Sequence, residues 1–413
     1  MTPRILLPNP ESTTREGLAA YRARGGYRAL ATAVAGMTPA AVRAEVAAAG
    51  LRGRGGAAFP TARKWELAAA AAGPRKFVVG NGGEHEPGSE KDKLLVARHP
   101  HAVLEGMALC AFAIGASEGV LYLIEDMAEQ LAAAEAAIAE ARAAGLLGER
   151  VDGSAFAFDV KLHRAPTTYV AGEETAALDS IQGGPGKPRK KPPYPGEAGL
   201  HGLPTVVNNV ETLAHVPWIV REGAAAFAAI GTDASKGTLL FTLGQEVHRP
   251  GVYELPFGKT YRHLIEVCGG GLRSGRAVRA VLPAMSCGFL GAAHLDVPIA
   301  YETLKPLGTS PGCGGVRVVA EGDDVVAMVH EIAGFFMREQ CGQCAPCRMQ
   351  TNQMVHVLAG VQAGKGPGYQ EKLEKLAAFA RGKGFCSLIE MSAAPVLSAL
   401  TLFADDFAAA AGG

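Results

Sequence analysis

The sequence has no excess of charge of either sign and few aromatic residues. Its 40 lysine and arginine residues balance 40 aspartate and glutamate residues, which argues against a protein whose main role is to bind nucleic acid. Aromatic residues are only 6% of the 413, so alanine and small aliphatic side chains must fill much of the interior. Hydrophobic residues reach 48% and charged residues only 19%, which predicts a large core and little disorder.

Long uninterrupted hydrophobic runs are also lacking. The most apolar stretch, residues 103–124, carries Glu105 and Glu118, and is more typical of a buried helix running into a strand than of a membrane span. The first ten residues lack the apolar core of a signal peptide. We therefore expect a cytoplasmic protein without direct membrane insertion, membrane-peripheral only through other subunits.

Strands and helices alternate up to about residue 230, which predicts an α/β layered domain over 1–230. Short strands with turn signals and one helix near 260–267 then predict a small α+β module over 231–320, and residues 321–413 have a helical pattern. In the first domain we predict strands at 77–79, 119–124 and 156–165, helices at 38–51 (capped by Thr38), 102–116 and 125–148, and a strand-to-helix turn at 169–183.

The strongest chemical signal is a run of three cysteines. Eight cysteines in so long a chain are not a secreted disulfide framework. Cys341, Cys344 and Cys347 form C-x-x-C-x-x-C, and three closely spaced thiolates with a distant fourth are typical of iron–sulfur clusters. Zinc sites more often use two separated C-x-x-C pairs. The pattern indicates a [4Fe–4S] cluster in a reducing compartment, with structural zinc or unligated thiols as the alternatives.

A fourth thiolate must come from elsewhere in the chain. Cys386 follows the glycine-containing loop 381–385, where the backbone can bend toward a cluster, and it is our first choice. Cys313 is the second choice. Cys110 and Cys268 lie in apolar runs and are expected to be inert core residues.

A glycine-rich loop at 53–58 offers exposed backbone amides beside Arg54 and Lys64. The dinucleotide fingerprint requires a preceding strand and an acidic residue about twenty positions later, whereas here a helix precedes the loop and Lys64 follows it. We therefore reject a standard dinucleotide site. The loop suits a phosphate or an anionic flavin, and an ordinary glycine-rich connection remains the alternative.

Two further segments carry polar groups toward the same region. Glu173 and Glu174 lie before a predicted helix, where acidic side chains also stabilise the helix end. Asn208 and Asn209 can hydrogen-bond the edge of a heterocycle or cap a helix. Together with the glycine loop, these residues predict one pocket at the loop ends of an α/β sheet.

Several of these segments occur in an order that resembles a known family. They are RGRGGAAFPTARKW, EPGSEKD, YVAGEETAALDSIQG, GLPTVVNNVETL and CGQCAPCR. The chain resembles the NADH-binding flavoprotein subunit of respiratory complex I, a type also found in NAD-linked hydrogenases and formate dehydrogenases. The resemblance covers residues 38–400, and long motifs in a fixed order are far more specific than any single one.

The resemblance implies a Rossmann-like FMN domain, a ubiquitin-like β-grasp domain of the SLBB type, and a C-terminal helical bundle carrying one [4Fe–4S] cluster. It implies FMN-binding roles for Gly53, Arg54, Gly55, Lys64, Asn81, Glu84, Tyr169, Gly172, Glu173, Glu174, Asn208 and Asn209. It implies NADH-facing roles for Phe59, Glu86, Lys191 and Tyr194, and supports Cys386 as the fourth cluster ligand. No residue is expected to act as a catalytic acid or base.

The implied function is a diaphorase, which moves electrons between NAD(H) and an iron–sulfur chain inside a multisubunit oxidoreductase. FMN suits this role because it exchanges two electrons with a nicotinamide and single electrons with a cluster. The implied partners are a thioredoxin-like [2Fe–2S] subunit and a larger iron–sulfur or catalytic subunit. A scaffold that uses its cysteines only for folding is a further hypothesis.

Two departures from the family pattern favour an alternative function. The usual N-A-D-E of the flavin loop is N-G-G-E here, so Gly83 replaces a carboxylate. Leu67 replaces a phenylalanine that faces the nicotinamide nucleotide, and Tyr194 replaces a second phenylalanine but can still stack. The alternative is an FMN and iron–sulfur subunit that exchanges electrons with ferredoxin or another protein, without NADH turnover.

Overall fold

The computed structural model describes residues 4–412, and its first unit is built on a parallel sheet. The strands are β1 (Phe77–Gly82), β2 (Glu118–Ile124), β3 (Asp159–Ala165) and β4 (Thr205–Asn209). They pair in the order β3-β2-β1-β4, and every neighbouring pair is parallel. The carboxyl ends of β1 and β4 therefore lie side by side, and this brings Asn81 opposite Asn209.

Eleven helices accompany this sheet. They are α1 (Leu18–Ala23), α2 (Arg28–Gly36), α3 (Pro39–Ala48), α4 (Thr61–Ala70), α5 (Lys91–Arg98), α6 (Pro100–Ile114), α7 (Ala128–Ala143), α8 (Glu174–Ile181), α9 (Pro195–Ala198), α10 (Val210–Glu222) and α11 (Ala224–Ala228). Helix α6 is buried almost throughout and packs against both β1 and α10, so it forms the centre of the largest core. Its apolar sequence is that of a core helix rather than a membrane span.

The second unit is a five-stranded mixed sheet. Its strands are β5 (Thr238–Leu243), β6 (Gly251–Pro256), β7 (Val278–Leu282), β8 (Leu290–Gly291) and β9 (Gly315–Ala320), and its helices are a π-helix (His263–Cys268) and α12 (Tyr301–Leu304). The order is β6-β5-β9-β7-β8, with β5 and β9 parallel at the centre and the other pairs antiparallel. Strands β5 and β6 form a hairpin, the π-helix follows it, and β5 pairs in parallel with the last strand, β9. This is the arrangement of a β-grasp.

The N-terminal segment is attached to this second sheet through Glu254 of β6. The backbone N–H groups of Ile5, Leu6 and Leu7 donate to its carboxylate over 2.9, 3.0 and 2.9 Å, and the Thr238 hydroxyl donates over 2.8 Å. Burial raises the pKa of Glu254, and these donors oppose the rise. The carboxylate therefore holds together three parts of the chain that are distant in sequence.

Replacing Glu254 by glutamine is expected to lower the free energy of unfolding by about 2 kcal/mol, because the amide NH₂ would face an N–H donor and leave it unpaired. Urea unfolding followed by circular dichroism measures this. Glu266→Gln is the matched control, since Glu266 forms only an exposed ion pair with Arg262, and its loss should cost about 0.5 kcal/mol or less. Equal stability of the two variants would contradict the role given to Glu254.

The last part of the described chain is helical. Its helices are α13 (Val325–Glu339), α14 (Ala345–Gln362), α15 (Tyr369–Ala380), α16 (Leu388–Met391), α17 (Ala394–Leu402) and α18 (Ala404–Ala410). Helices α13, α14 and α15 pack side by side around a core that is shared with the second sheet, through Leu282 and Val319 among others, and also receives Val170 from the first unit. Asp324 caps α13 by accepting a hydrogen bond from the Ala327 N–H over 2.9 Å.

The predicted elements are recovered with shifted ends. Thr38 caps α3 as predicted and accepts from the Ala41 N–H over 3.1 Å. The strand predicted at 77–79 continues to Gly82. The strand-to-helix turn predicted at 169–183 is present: β3 ends at Ala165, and a 3-10 turn, Tyr169–Gly172, leads into α8. The other 3-10 turns are Val151–Gly153, Leu200–Gly202, Ala292–His294 and Lys305–Leu307.

Between residues 4 and 412, no single helix is long and apolar enough to cross a membrane. One pair of consecutive segments, Leu388–Leu402 with Ala404–Ala410, is together long and apolar enough for a membrane span by length and composition alone, but the pair is bent by 90°.

Candidate functional site

The glycine loop lies against the amino end of α10. The Gly53 N–H donates to the Phe59 carbonyl over 2.9 Å and closes the loop. A Cβ atom at Gly55 would lie 3.2 Å from Asn209 Cβ, so the loop backbone approaches Asn209 closely and any larger residue would push Asn209 away by a few tenths of an ångström. The predicted contact between the glycine loop and the asparagine pair is therefore present in the fold.

Arg54 does not extend into this site, contrary to what its place in a phosphate loop suggests. Its guanidinium donates to the backbone carbonyls of Arg52, Lys236 and Thr238 over 2.9, 2.7 and 2.9 Å, and lies 5.0 Å from the centre of the Phe257 ring. The side chain is only 1% exposed. Because its donors are used inside the protein, Arg54 joins the loop to the second sheet.

Two lysines and two glutamates form an ion-pair network at the start of α8. Lys64 Nζ lies 3.0 Å from Glu174, and Lys191 Nζ lies 2.8 Å from Glu173 and 3.0 Å from Glu174. Burial would raise the pKa of Glu174, but the two lysines more than offset this and lower it. Glu173 also caps α8, because its carboxylate accepts from the Thr175 and Ala176 N–H groups. The helix-stabilising role that the sequence allowed for this residue is therefore present.

The asparagines connect the flavin loop to the neighbouring strands. Asn81 donates to the Gly172 carbonyl over 2.9 Å and accepts from the Gly83 N–H over 3.0 Å. Asn208 accepts from the Trp65 indole over 2.8 Å. Asn209 caps α10 through the Glu211 N–H over 3.0 Å and donates to Asp92 over 2.6 Å. The predicted flavin residues thus meet at the ends of β1 and β4.

Glu84 is placed differently from an exposed flavin ligand. Its carboxylate accepts from the N–H groups of Lys91 and Lys93 over 3.0 and 2.9 Å, and from the Ser89 hydroxyl. Burial and the nearby Asp92 carboxylate raise the pKa of Glu84 to about 7. In this structure Glu84 stabilises the start of α5 and, through Ser89, the loop that precedes this helix.

Glu86 lies where the first and second units meet. Tyr169 donates to its carboxylate over 3.0 Å, and the Ser286 N–H donates over 3.3 Å. Burial raises the pKa of Glu86, and these hydrogen bonds oppose the rise. Ser286 belongs to the second sheet unit and had no sequence signal, since only the packing of the two units brings it to Glu86.

The two aromatic NADH-facing candidates are exposed. Phe59 and Tyr194 are 44% and 55% exposed, and Leu67, the departure from the family pattern, is 53% exposed, whereas most large apolar side chains in the described chain are buried. Exposed aromatic faces suit the stacking of a flat ring. Leu67 offers apolar area there but no aromatic face.

The four predicted cysteine ligands line one pocket beside Val170, Pro188 and Phe385. The Phe385 N–H donates to the Cys344 sulfur over 3.3 Å, and the Gln343 amide donates to the Cys341 sulfur over 3.5 Å. Burial and the neighbouring thiols raise the pKa of Cys347 to about 12. Several N–H donors aimed at sulfur are a common environment for cluster thiolates.

The donor set fits a cluster better than a single ion. Within residues 4–412, no three His, Cys, Asp or Glu side chains converge closely enough to hold one metal ion, as zinc would require. Cys313 lies elsewhere, beside Glu86 and Tyr169. Cys110 is fully buried in α6, and Cys268 is half-buried in the π-helix. Cys386 is therefore the cysteine that joins the triplet.

Comparison with known proteins agrees with both halves of this geometry. A family model described as the Nuo51 FMN-binding domain matches residues 46–218, and one described as the NADH-ubiquinone oxidoreductase-F iron-sulfur binding region matches residues 327–410. The F 2 subunit of the NADH-quinone oxidoreductase of Rhizobium meliloti (strain 1021) is 42% identical, over 98% of this chain and 97% of its own length. The chain belongs to the NADH-ubiquinone oxidoreductase F family.

Other relatives of this F-family chain come from hydrogenases. The NADP-reducing hydrogenase subunit HndC of Solidesulfovibrio fructosivorans is 38% identical, over 95% of this chain and 80% of its own length. The crystal structure of an NAD+-reducing [NiFe]-hydrogenase in the H2-reduced state matches with a TM-score of 0.82 and 35% identity, over 98% of this chain and 66% of that chain. The predicted family, fold class and cofactors, FMN and a [4Fe–4S] cluster, are thereby confirmed.

In this F-family chain the 3-10 turn Tyr169–Gly172 lies beside the cysteine pocket. Tyr169 and Gly172 are predicted flavin residues, whereas Val170, between them, lines the cysteine pocket. The Tyr169 N–H donates to Glu339 at the end of α13 over 2.8 Å, and the Gln343 amide donates to the Pro188 carbonyl over 2.8 Å. This short turn therefore connects the predicted flavin residues with the cysteine pocket.

Proposed function

We propose that this chain is a diaphorase subunit that moves electrons between NAD(H) and an iron–sulfur chain. The observation that supports the proposal is the short turn 169–172, which contacts the predicted flavin residue Asn81 through the Gly172 carbonyl and the cysteine pocket through Val170. FMN, when bound, supplies the conversion between two-electron and one-electron transfer. The chain's own residues bind and orient: Lys64 and Lys191 order the acidic turn, and Phe59 and Tyr194 offer faces for stacking.

The partners are suggested by the family, whose members named here are subunits of multisubunit oxidoreductases. We propose that a thioredoxin-like [2Fe–2S] subunit and a larger iron–sulfur or catalytic subunit complete the assembly, in the cytoplasm or at a membrane surface. Co-purification of a tagged chain from its native cells tests this. Repeated isolation of the chain alone, fully active with its physiological acceptor, would contradict it.

Anaerobically purified protein tests the function itself. We expect it to release FMN and iron on denaturation, to lose its flavin absorbance when NADH is added, and to reduce an artificial dye. Failure of both NADH and NADPH to reduce flavin-loaded protein would contradict the diaphorase proposal. It would favour the alternative, electron exchange with ferredoxin or another protein, which Leu67 and Gly83 motivate.

Replacing Leu67 by phenylalanine is expected to lower the KM for NADH about threefold to tenfold, because an aromatic pair adds about 0.5–1.5 kcal/mol beyond area burial. Steady-state kinetics of dye reduction measures this. Leu402→Phe is the control, since Leu402 is also exposed, at 40%, but lies in α17. An unchanged KM in Leu67→Phe would show that position 67 does not touch the nucleotide.

A further inference from the structure

His85 lies between two acidic residues already described, Glu84 and Glu86, yet neither the family resemblance nor the hydrogen-bond network assigns it a role. Its Nε2 atom is buried and has no hydrogen-bond partner in the described chain. A buried polar nitrogen without a hydrogen-bond partner destabilises the folded state, so a group of this kind is retained where something else pairs with it.

The surroundings of the ring place it in the flavin region. A Cβ atom built on Gly83 would lie 3.3 Å from His85 Nε2, and one built on Gly172 would lie 3.3 Å from His85 Cδ2. Asn81 bridges the same two glycines through its side-chain amide. The imidazole thus lies between the loop after β1 and the 3-10 turn before α8, two segments that carry the predicted flavin residues Glu84, Tyr169 and Gly172.

The electrostatics of the ring suit an uncharged ligand contact. Burial lowers the pKa of His85 to about 4, and a backbone hydrogen bond with Thr167 opposes the shift only in part. The imidazole is therefore neutral at neutral pH. Its hydrogen bond with the Thr167 backbone raises the pKa, so the ring donates there, and since Nε2 is unpaired the proton lies on Nδ1. Nε2 then carries a lone pair and can accept a hydrogen bond from an N–H on the polar edge of a flavin ring.

Gly83 and His85 are close neighbours in the structure. The Cβ position at Gly83 is also 3.1 Å from Asn81 Oδ1 and 3.2 Å from Tyr122 Cε1, so a side chain there would require all three neighbours, His85 included, to move by a few tenths of an ångström. Because the family resemblance implies an acidic residue at position 83, we treat positions 83 and 85 together.

We propose that His85 is a flavin-binding residue, whose Nε2 hydrogen-bonds the polar edge of the FMN ring in place of the acidic side chain at position 83. This deepens the proposed function and rests on FMN binding to this region. The substitution exchanges a charged contact for a neutral one. A flavin held by a neutral group accepts electrons more readily than one beside a carboxylate, because a nearby negative charge opposes added negative charge.

The test compares His85→Ser, which removes the ring nitrogen, with His85→Gln, which keeps a hydrogen-bonding group of similar reach. Full-length protein holding its cluster is stripped of flavin and titrated with FMN, and binding is followed by quenching of flavin fluorescence. We expect His85→Ser to raise the Kd about tenfold and to shift the absorption band of the bound flavin, with His85→Gln within about threefold of the wild type.

A compensating variant, Gly83→Asp with His85→Ser, tests the exchange of one residue for the other. We expect it to bind FMN more tightly than His85→Ser alone and to give the flavin a more negative reduction potential than the wild type. Unchanged affinity in His85→Ser, equal loss in the serine and glutamine variants, or no recovery in the double variant would each overturn the proposal. Wild-type protein that binds no FMN would instead overturn the proposed function itself.

Discussion

Replacing Cys386 by serine is expected to remove most of the iron from the purified protein. Cys386 lines the same pocket as Cys341, Cys344 and Cys347, although about forty residues separate it from them. A cubane cluster draws one thiolate to each of its corner irons, so the loss of one ligand exposes an iron to solvent and oxidation. We expect fewer than about half of the four irons per chain in Cys386→Ser, with a matching fall in the brown absorbance.

Cys313→Ser is the matched control for this experiment. Cys313 was the alternative fourth ligand, but its thiol lies beside Glu86 and Tyr169 rather than in the cysteine pocket. We expect this variant to keep its iron and sulfide, measured after anaerobic purification. A control variant that loses its cluster while Cys386→Ser retains one would reverse the assignment. Zinc in place of iron in the wild-type protein would contradict the cluster itself.

The sequence predicts the fold well where a local pattern sets the structure. The parallel sheet follows from buried strands separated by helices, and Thr38 caps α3 as its position before Pro39 indicates. The two-residue spacing of the three cysteines at 341–347 predicts an iron–sulfur cluster without further context. The choice of Cys386 depended on a flexible glycine loop and on the family resemblance, and the fold supports it by placing that loop against the triplet.

Sequence reasoning was weaker where a side chain's direction depends on distant parts of the chain. Arg54 has the position of a phosphate-binding arginine, yet its guanidinium is used by carbonyls that follow α11 and lead into β5. Glu84 turns toward α5, and Ser286 reaches Glu86 only because two units pack together. No periodicity or spacing encodes these contacts, since each joins segments far apart in sequence.

A buried charge cluster behind the site leads to the largest expected change in stability. Lys91 Nζ lies 2.7 Å from Asp92 and 2.9 Å from Glu211, and the side chains of Lys91 and Glu211 are 1% and 0% exposed. Burial acts to lower the pKa of Lys91, but the surrounding carboxylates outweigh it and raise the pKa. Burial raises the pKa of Glu211, and Lys91 opposes this rise. One ammonium group thus balances carboxylates from two segments of the chain.

Replacing Lys91 by methionine is expected to lower the free energy of unfolding by about 3–5 kcal/mol at pH 8, because it leaves buried carboxylates without their cation. Lys93→Met, two residues along the same helix, removes only an exposed pair with Glu90 and should cost about 0.5 kcal/mol or less. Urea unfolding of both variants measures the difference.

The loss in Lys91→Met should shrink as the pH falls, and this dependence separates a charge effect from a packing effect. Glu84 already has a pKa of about 7 in the folded protein against an ordinary 4.5, and burial raises that of Glu211 in the same direction. A carboxyl whose folded pKa is raised contributes its stability below the unfolded pKa and loses it as the pH rises through the folded value. Without Lys91 these pKa values rise further, so at pH 5 the carboxyls bind protons and are no longer stranded as charges. If Lys91→Met is equally destabilised at pH 5 and pH 8, Lys91 acts through its packing. If the loss in the free energy of unfolding at pH 8 is below about 1 kcal/mol, the cluster tolerates the loss of its cation.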